Sequence, residues 1–353
     1  MINLNEIKII DLSTVLAGPS VGTFFAELGA QVVKIEHPDK GDVTRSWKSA
    51  SESANTKASA YFSSVNYKKD YQKLDLTITD DYEQFIELVK NSDIIISNFK
   101  QGDDHKLKIT DSILRQYNPD IIIAKITGFG SESDRVAYDI ILQAETGYMS
   151  INGERDSQPL KMPVALIDVL AAHHLKEGIL LALMNRLKGG EAKTIQVSLY
   201  DAALSSLSNQ ASNYLMTGVE PQRQGNLHPN IAPYGEVFLT RDEKEITFAI
   251  GSNKHFADLC SYLKLELEDS ALFQTNQLRV KNRKKLEALI QKKVSSLNSD
   301  DIQKNLNERK VPCALIKTIG EVLNDTAAEH LIKKERIEGE MTSRITSIAF
   351  KWE

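Results

Sequence analysis

A repeated alternation of short apolar runs with helical stretches constrains this 353-residue chain more than any other feature. The run Ile7-Lys8-Ile9-Ile10-Asp11-Leu12 has the length and aliphatic density of a buried strand, and Gly18-Pro19 breaks it. Val21 to Leu28 reads as a helix ended by Gly29, and Gln31-Val32-Val33-Lys34-Ile35-Glu36 as a second strand closed by Pro38. The pattern recurs: helix 82–91 precedes strand 93–97, and helix 109–117 precedes strand 121–124. Strands spaced by helices pair in parallel and are covered on both faces, so the expectation is an α/β fold with a doubly wound parallel sheet.

A long apolar helix, residues 169–188, follows Asp168 and ends at Gly189-Gly190; strand 194–199 and helix 200–215 come next. The character changes near Gly218. Residues 218–236 hold three prolines, three glycines and few aliphatic side chains, as a linker would. Beyond it, 236–239 and 245–250 form a hairpin pattern, and short helices continue to about Leu306, which predicts a smaller α+β lobe. Residues 345–352 alternate like an edge strand returning to the first domain. The expected division is a large domain of residues 1–217 and 327–353, with linker and small domain at 218–326.

Several chemistries are set aside by composition and spacing. A net charge of -5 lacks the basic footprint of sequence-independent nucleic-acid binding. Met1 leads into Ile7 with no basic leader, and the longest apolar stretches, such as 178–184, are too short to span a bilayer, so a cytoplasmic protein without membrane or nucleic-acid partners is expected. Cys260 and Cys313 lie far apart without metal-type spacing. The turn Thr14-Val15-Leu16-Ala17-Gly18-Pro19 has one glycine, which argues against a nicotinamide cofactor. The run Gly189-Gly190-Glu191-Ala192-Lys193-Thr194 has Ala192 where a phosphate loop needs glycine. His173 and His174 are adjacent in a helix and face different ways, so no metal site is expected.

An ordered set of short motifs then carries a specific resemblance. It runs through Asp11-Leu12-Ser13, Ala17-Gly18-Pro19, Leu28-Gly29-Ala30, Val33-Lys34-Ile35-Glu36 and Gly41-Asp42 with Arg45. Asn66 with Lys68-Lys69, Asn98-Phe99, Asn118-Pro119, Gly128-Phe129-Gly130, Tyr138-Asp139 and Gln143-Ala144 follow, then the Asp168 helix and Tyr200-Asp201-Ala202. The small lobe adds Thr275-Asn276, Arg279, Asn282-Arg283 and Val311-Pro312. From about residue 5 to 325 the chain resembles the family III CoA-transferases, a group that includes the related α-methylacyl-CoA racemases. For fold, the resemblance implies a Rossmann-like large domain, the smaller lobe, and an interlocked homodimer of two threaded rings.

For activity it implies transfer of coenzyme A from an acyl-CoA to a carboxylic acid, with acyl-CoA as substrate and no tightly bound cofactor. Such an exchange is close to isoenergetic and needs no ATP, but it needs a nucleophile that can carry each acyl group in turn. The resemblance gives that role to Asp168. The residues themselves leave two roles open, which can coexist: an N-cap, or a carboxylate that ends a strand-like run and sits at the positive end of a helix dipole that favours its ionised form. Asp139 takes the acidic position beside it, the alternative being a solvated loop carboxylate. Where the racemases carry a histidine this chain has Tyr138, a poor base with its ordinary pKa near ~10. For CoA the resemblance implies Val15, Leu16, Ala17, His37, Lys68, Asn98, Phe99, Lys106 and Tyr138. Leu16, His37 and the loop Gly251-Ser252-Asn253 depart from the oxalate-using branch. Two other readings remain open: an acyl-CoA racemase or epimerase, and a CoA-binding protein without turnover.

Overall fold

The computed structural model describes residues 4–267 and 270–351. Six strands form one parallel sheet: β1 (Lys8–Asp11), β2 (Gln31–Glu36), β3 (Lys69–Lys73), β4 (Ile94–Ser97), β5 (Ile122–Thr127) and β6 (Thr194–Ser198), in the order β3-β2-β1-β4-β5-β6. Every pairing in it is parallel. The aliphatic runs form strands because the sheet is buried on both faces. Ile94 and Ile96 point into one core with Ile9 and Ile122, while Ile95 points into the other with Ile10 and Ile123. The first core is covered by α1 (Ala17–Glu27), α8 (Leu166–Leu187) and α9 (Leu199–Ser205), the second by α3 (Thr79–Lys90) and α5 (Asp111–Tyr117). Short helices α2 (Ala60–Ser64), α4 (Asp103–Lys106), α6 (Asp139–Glu145) and α7 (Tyr148–Ile151) connect the strands, and α10 (Ser208–Thr217) follows α9. The doubly wound architecture expected of the alternation is the one observed.

Two local expectations are corrected, and one strand was not anticipated. Helix α1 begins at Ala17, not after Gly18-Pro19. Proline is tolerated in a first helical turn, whose N–H groups have no partner in the helix. Gly18 is needed because a Cβ there would lie 2.3 Å from the Ser13 side chain. β3 was not legible: Lys69-Asp70-Tyr71-Gln72-Lys73 has no apolar pattern, and it is held by pairing to β2 at the sheet edge. The alternation from Ile345 is not a strand. The hairpin β10 (Ile332–Ile337) and β11 (Glu340–Ile345) precedes it, and 346–351 is irregular. There, Thr346 and Ser347 hydrogen-bond the Glu27 carboxylate, while Ile348 packs against the first core and the Phe350 ring meets Phe24. Trp352, the end of that expected strand, lies outside the described residues.

The described residues fall into two compact units, one of 4–148, 161–219 and 327–351, the other of 149–160 and 220–326. The second unit takes residues 149–160 because Gly225 N–H donates to the Gly153 carbonyl and Arg223 to the Ser150 carbonyl. It contains an antiparallel sheet of β7 (Tyr234–Leu239), β8 (Glu245–Ala249) and β9 (Cys313–Leu315). α11 (Asn253–Leu263), α13 (Arg283–Val294) and α14 (Ser299–Glu308) close a core around Phe238, Phe248 and Phe273, with α12 (Asn276–Lys281) and α15 (Ile319–Leu323) completing the order. No helix among the described residues is long and apolar enough to cross a membrane.

Candidate active site

In a sheet of this order the chain reverses direction between β1 and β4, and the loops that leave the carboxyl ends of these strands diverge to open a crevice. A cavity of about 440 Å³ lies there, lined by the turn after β1, the ends of β4 and β5, and the starts of α6 and α8. Val15, Leu16, Ala17, Asn98, Phe99, Tyr138, Asp139 and Asp168 all line it. His37, Lys68 and Lys106 do not. His37 Nε2 sits 3.4 Å from Asp75 while its Nδ1 accepts from the Asp39 N–H. Lys68 donates its backbone N–H to Glu335, and Lys106 ends α4.

The turn after β1 is strained and over-determined. Val15 has φ 73°, a left-handed conformation that a β-branched residue rarely adopts. The Asn98 amide clamps Thr14 from both sides, accepting its N–H at 3.0 Å and donating to its carbonyl at 2.8 Å. Asp42 accepts the Val15 N–H at 3.4 Å and is itself ion-paired at 3.1 Å with Lys34, both side chains being fully buried. Lys34 also donates to the Ser13 carbonyl at 2.6 Å. Beside it, Lys69 and Asp11 make a second buried pair at 2.8 Å.

Asp168 departs from its expected setting. No strand precedes it, and it is the third residue of α8, with Ala165 at the cap position. The helix start is instead capped from another element: Asp139, the first residue of α6, accepts the N–H of Ile167 at 2.7 Å and that of Asp168 at 3.4 Å on Oδ1. Asp139 is therefore half-buried and hydrogen-bonded, not a solvated loop carboxylate. Nor does the helix dipole keep Asp168 ionised. The residue is 8% exposed, and burial, followed by the neighbouring Asp139 charge, pushes its carboxyl up to about 7.

Two contributors were not singled out as site residues in the sequence, Gln143 having figured only in a motif. Tyr61 of α2 is half-buried near both carboxylates, and burial and then Asp168, Asp139 and Asp42 push its phenol up to about 12. Its ring meets Trp47 edge to face at 5.2 Å. Gln143 is fully buried and bonds Asp139 directly. Arg135 also lines the cavity, its guanidinium 3.9 Å from the Phe129 ring centroid. Among the described residues no cluster of His, Cys, Asp and Glu could hold a metal ion.

The site thus offers one buried carboxyl with a raised pKa in a crevice, with a second carboxylate fixing the backbone beneath it. Comparison with known proteins shows which family the chain falls in. The model described as CoA-transferase family III matches residues 4–351. The chain is 35% identical to a succinate–glutarate CoA-transferase of Agrobacterium fabrum, over 91% of this chain and 82% of that one. It is 32% identical to a succinyl-CoA:mesaconate CoA-transferase of Haloarcula marismortui over the same shares. A crystal structure of a CaiB/BaiF family protein from Brucella suis superposes with TM-score 0.85 at 33% identity, covering 99% of this chain and 92% of that one.

Proposed function

This chain belongs to CoA-transferase family III, and from that premise we propose that it moves CoA between two carboxylic acids through covalent intermediates on Asp168. The ionised Asp168 carboxylate attacks the acyl-CoA carbonyl, the C–S bond breaks, and CoA leaves as thiolate from an aspartyl-acyl anhydride. The thiolate then attacks the Asp168 carbonyl, releasing the first acid and leaving an aspartyl-CoA thioester. The second acid attacks that thioester to regenerate an anhydride, and the returning thiolate attacks its acyl carbon, giving the new acyl-CoA and free Asp168. Asp139 does not touch the thioester in this scheme; it holds the first turn of α8. Among the observations, the setting of Asp168 carries this reading: a buried carboxylate with no hydrogen bond lowering its pKa is desolvated, and a desolvated carboxylate is the better nucleophile once it ionises.

The donor and acceptor we infer are short dicarboxylic acids, supported by relatives named for succinate, glutarate and mesaconate. The acyl and pantetheine end would occupy the cavity against Val15, Leu16, Ala17, Phe99 and Tyr138, with Asn98 acting through the Thr14 clamp. The nucleotide end would extend outside it toward His37, Lys68 and Lys106. A second copy of the chain in an interlocked homodimer is part of the same reading. The outer faces of α8 and α10 carry Leu181, Leu187, Leu215 and Met216, all more than half exposed, which a partner would cover. Light scattering on the purified protein tests the dimer. The chemistry is tested by mass spectrometry after incubation with succinyl-CoA or glutaryl-CoA and trapping with hydroxylamine. A hydroxamate at Asp168, absent from Asp168→Ala, is expected. Exchange of the α-proton with deuterated water and no adduct would replace this reading with a racemase, and neither signal would leave a CoA-binding protein without turnover.

A further inference from the structure

Gln143 lies one turn into α6 and is fully buried. Its Oε1 accepts the Met162 N–H at 2.7 Å, from the segment that leads into α8. Since a backbone N–H can only donate, this contact fixes the orientation of the amide and turns its Nε2 toward Asp139 Oδ2, with which it is bonded. Asp139 Oδ1 is meanwhile occupied by the N–H groups of Ile167 and Asp168. The Asp139 carboxylate therefore accepts three N–H donors on two oxygens, an arrangement suited to an anion and not to a carboxylic acid. Asp168, close by and without such donors, is left as the partner that must hold the proton.

We propose that Gln143 is a positioning residue that holds Asp139 as the anionic member of the pair and so decides which carboxylate is protonated in the resting site. The amide joins three pieces of backbone: α6, the Met162 segment and, through Asp139, the first turn of α8. It thereby sets both the direction in which Asp168 faces the cavity and the pH at which Asp168 becomes nucleophilic. The charged and titratable groups on the elements around the pair leave this assignment in place, being neutral or engaged with other partners. Tyr61 of α2 keeps its proton at neutral pH, and Asp201 of α9 is turned to Ser198. Glu145 at the end of α6 is paired with Arg135, and Lys161 is directed to the Met162 carbonyl at 3.4 Å.

The inference rests on Asp168 being the nucleophile, and its test separates the two claims. Gln143→Glu preserves volume and the oxygen that accepts from Met162, but exchanges the donor toward Asp139 for negative charge. A like charge there disfavours ionisation of Asp168, so the acid limb of the kcat/KM profile with succinyl-CoA and glutarate should move up by about one pH unit or more. Activity should fall about tenfold at pH 7 and recover partly by pH 9. Gln143→Met, which removes donor and acceptor together, should lower kcat while leaving the KM for succinyl-CoA within about twofold. Both variants are checked for fold by circular dichroism. An unmoved acid limb in folded Gln143→Glu, or a loss equal at every pH, would overturn the positioning role. If Gln143→Glu does not fold, an unchanged kcat in Gln143→Met overturns it instead. Absence of a hydroxamate at Asp168 in the unmodified protein would instead overturn the nucleophile.

Discussion

The starts of α1 and α8 both face the same cavity, and they are built in opposite ways. At α1 the chain enters through a left-handed Val15, no side chain caps the helix, and neighbours brace the turn from outside. At α8 the chain enters without a left-handed residue, and a carboxylate from α6 occupies the first N–H groups. The first arrangement leaves the positive end of a helix without a carboxylate of its own, which suits an incoming polar ligand. The second fills that end with Asp139, so the dipole is spent before it reaches Asp168. One helix start is thus left open to a ligand, and the other is closed beneath Asp168, which stays desolvated.

The sharpest way to break the contrast is to remove the carboxylate at α8 without changing its shape. Asp168→Asn should lower transfer by about a thousandfold or more, as expected for loss of a covalent nucleophile. The same variant should stabilise the fold. The folded-state pKa of about 7 lies above the ordinary carboxylate value, so between about pH 4 and 7 the native protein keeps a proton that the unfolded chain has lost. Stability from this group falls as pH rises through that window, and the full cost, on the order of 4 kcal/mol, is present above it. Denaturant midpoints should therefore favour Asp168→Asn at pH 8 and converge with the parent at pH 4. Equal midpoints at both pH values would mean that the burial is not costly.

At α1 the matching test removes Asp42. Its loss leaves Lys34 buried with only the Ser13 carbonyl and the field of Asp11, and breaking a buried pair in this way costs about 3–5 kcal/mol. Urea unfolding of Asp42→Ala should show that loss. Lys34→Met combined with Asp42→Ala should recover most of it, because no uncompensated charge then remains. Uncapping α8 by Asp139→Ala should cost less, about 1–2 kcal/mol, since a cap and not a buried charge pair is lost. It should also move the acid limb of kcat/KM to lower pH, because the Asp139 charge is one of the two causes that hold the Asp168 pKa up.

The contrast also marks what the sequence could convey. Aliphatic runs alternating with helices specify a doubly wound parallel sheet, which buries Ile94, Ile95 and Ile96 between its two covered faces, and that places a crevice beyond β1 and β4. Asp168 and Asp139 were legible through resemblance. Their electrostatics were not, because local sequence put Asp168 at a helix start and the cap that displaces it comes from 28 residues away. Tyr61 was invisible for the same reason: it sits among small polar residues, and only the folded chain brings it near the carboxylates. β3 escaped because edge pairing, not hydrophobic pattern, makes it a strand.

The smallest expected effect bears on why α1 begins with strain. A non-glycine residue held in the left-handed region costs of order 1 kcal/mol, and Val15 has no side-chain freedom with which to relieve it. Val15→Gly should remove that cost in the folded state while widening the conformations of the unfolded chain, so the net gain in stability should be about 0–1 kcal/mol. The functional effect should have the opposite sign. Without the β-branched side chain the turn relies on Asn98 and Asp42 alone, and a looser turn positions bound CoA less well. A KM for succinyl-CoA raised about two- to fivefold at unchanged kcat would locate the use of the strain in ground-state binding. A fall in kcat with KM unchanged would place it at the reacting carbonyl instead, and would make the start of α1 a partner of Asp168 in the transition state.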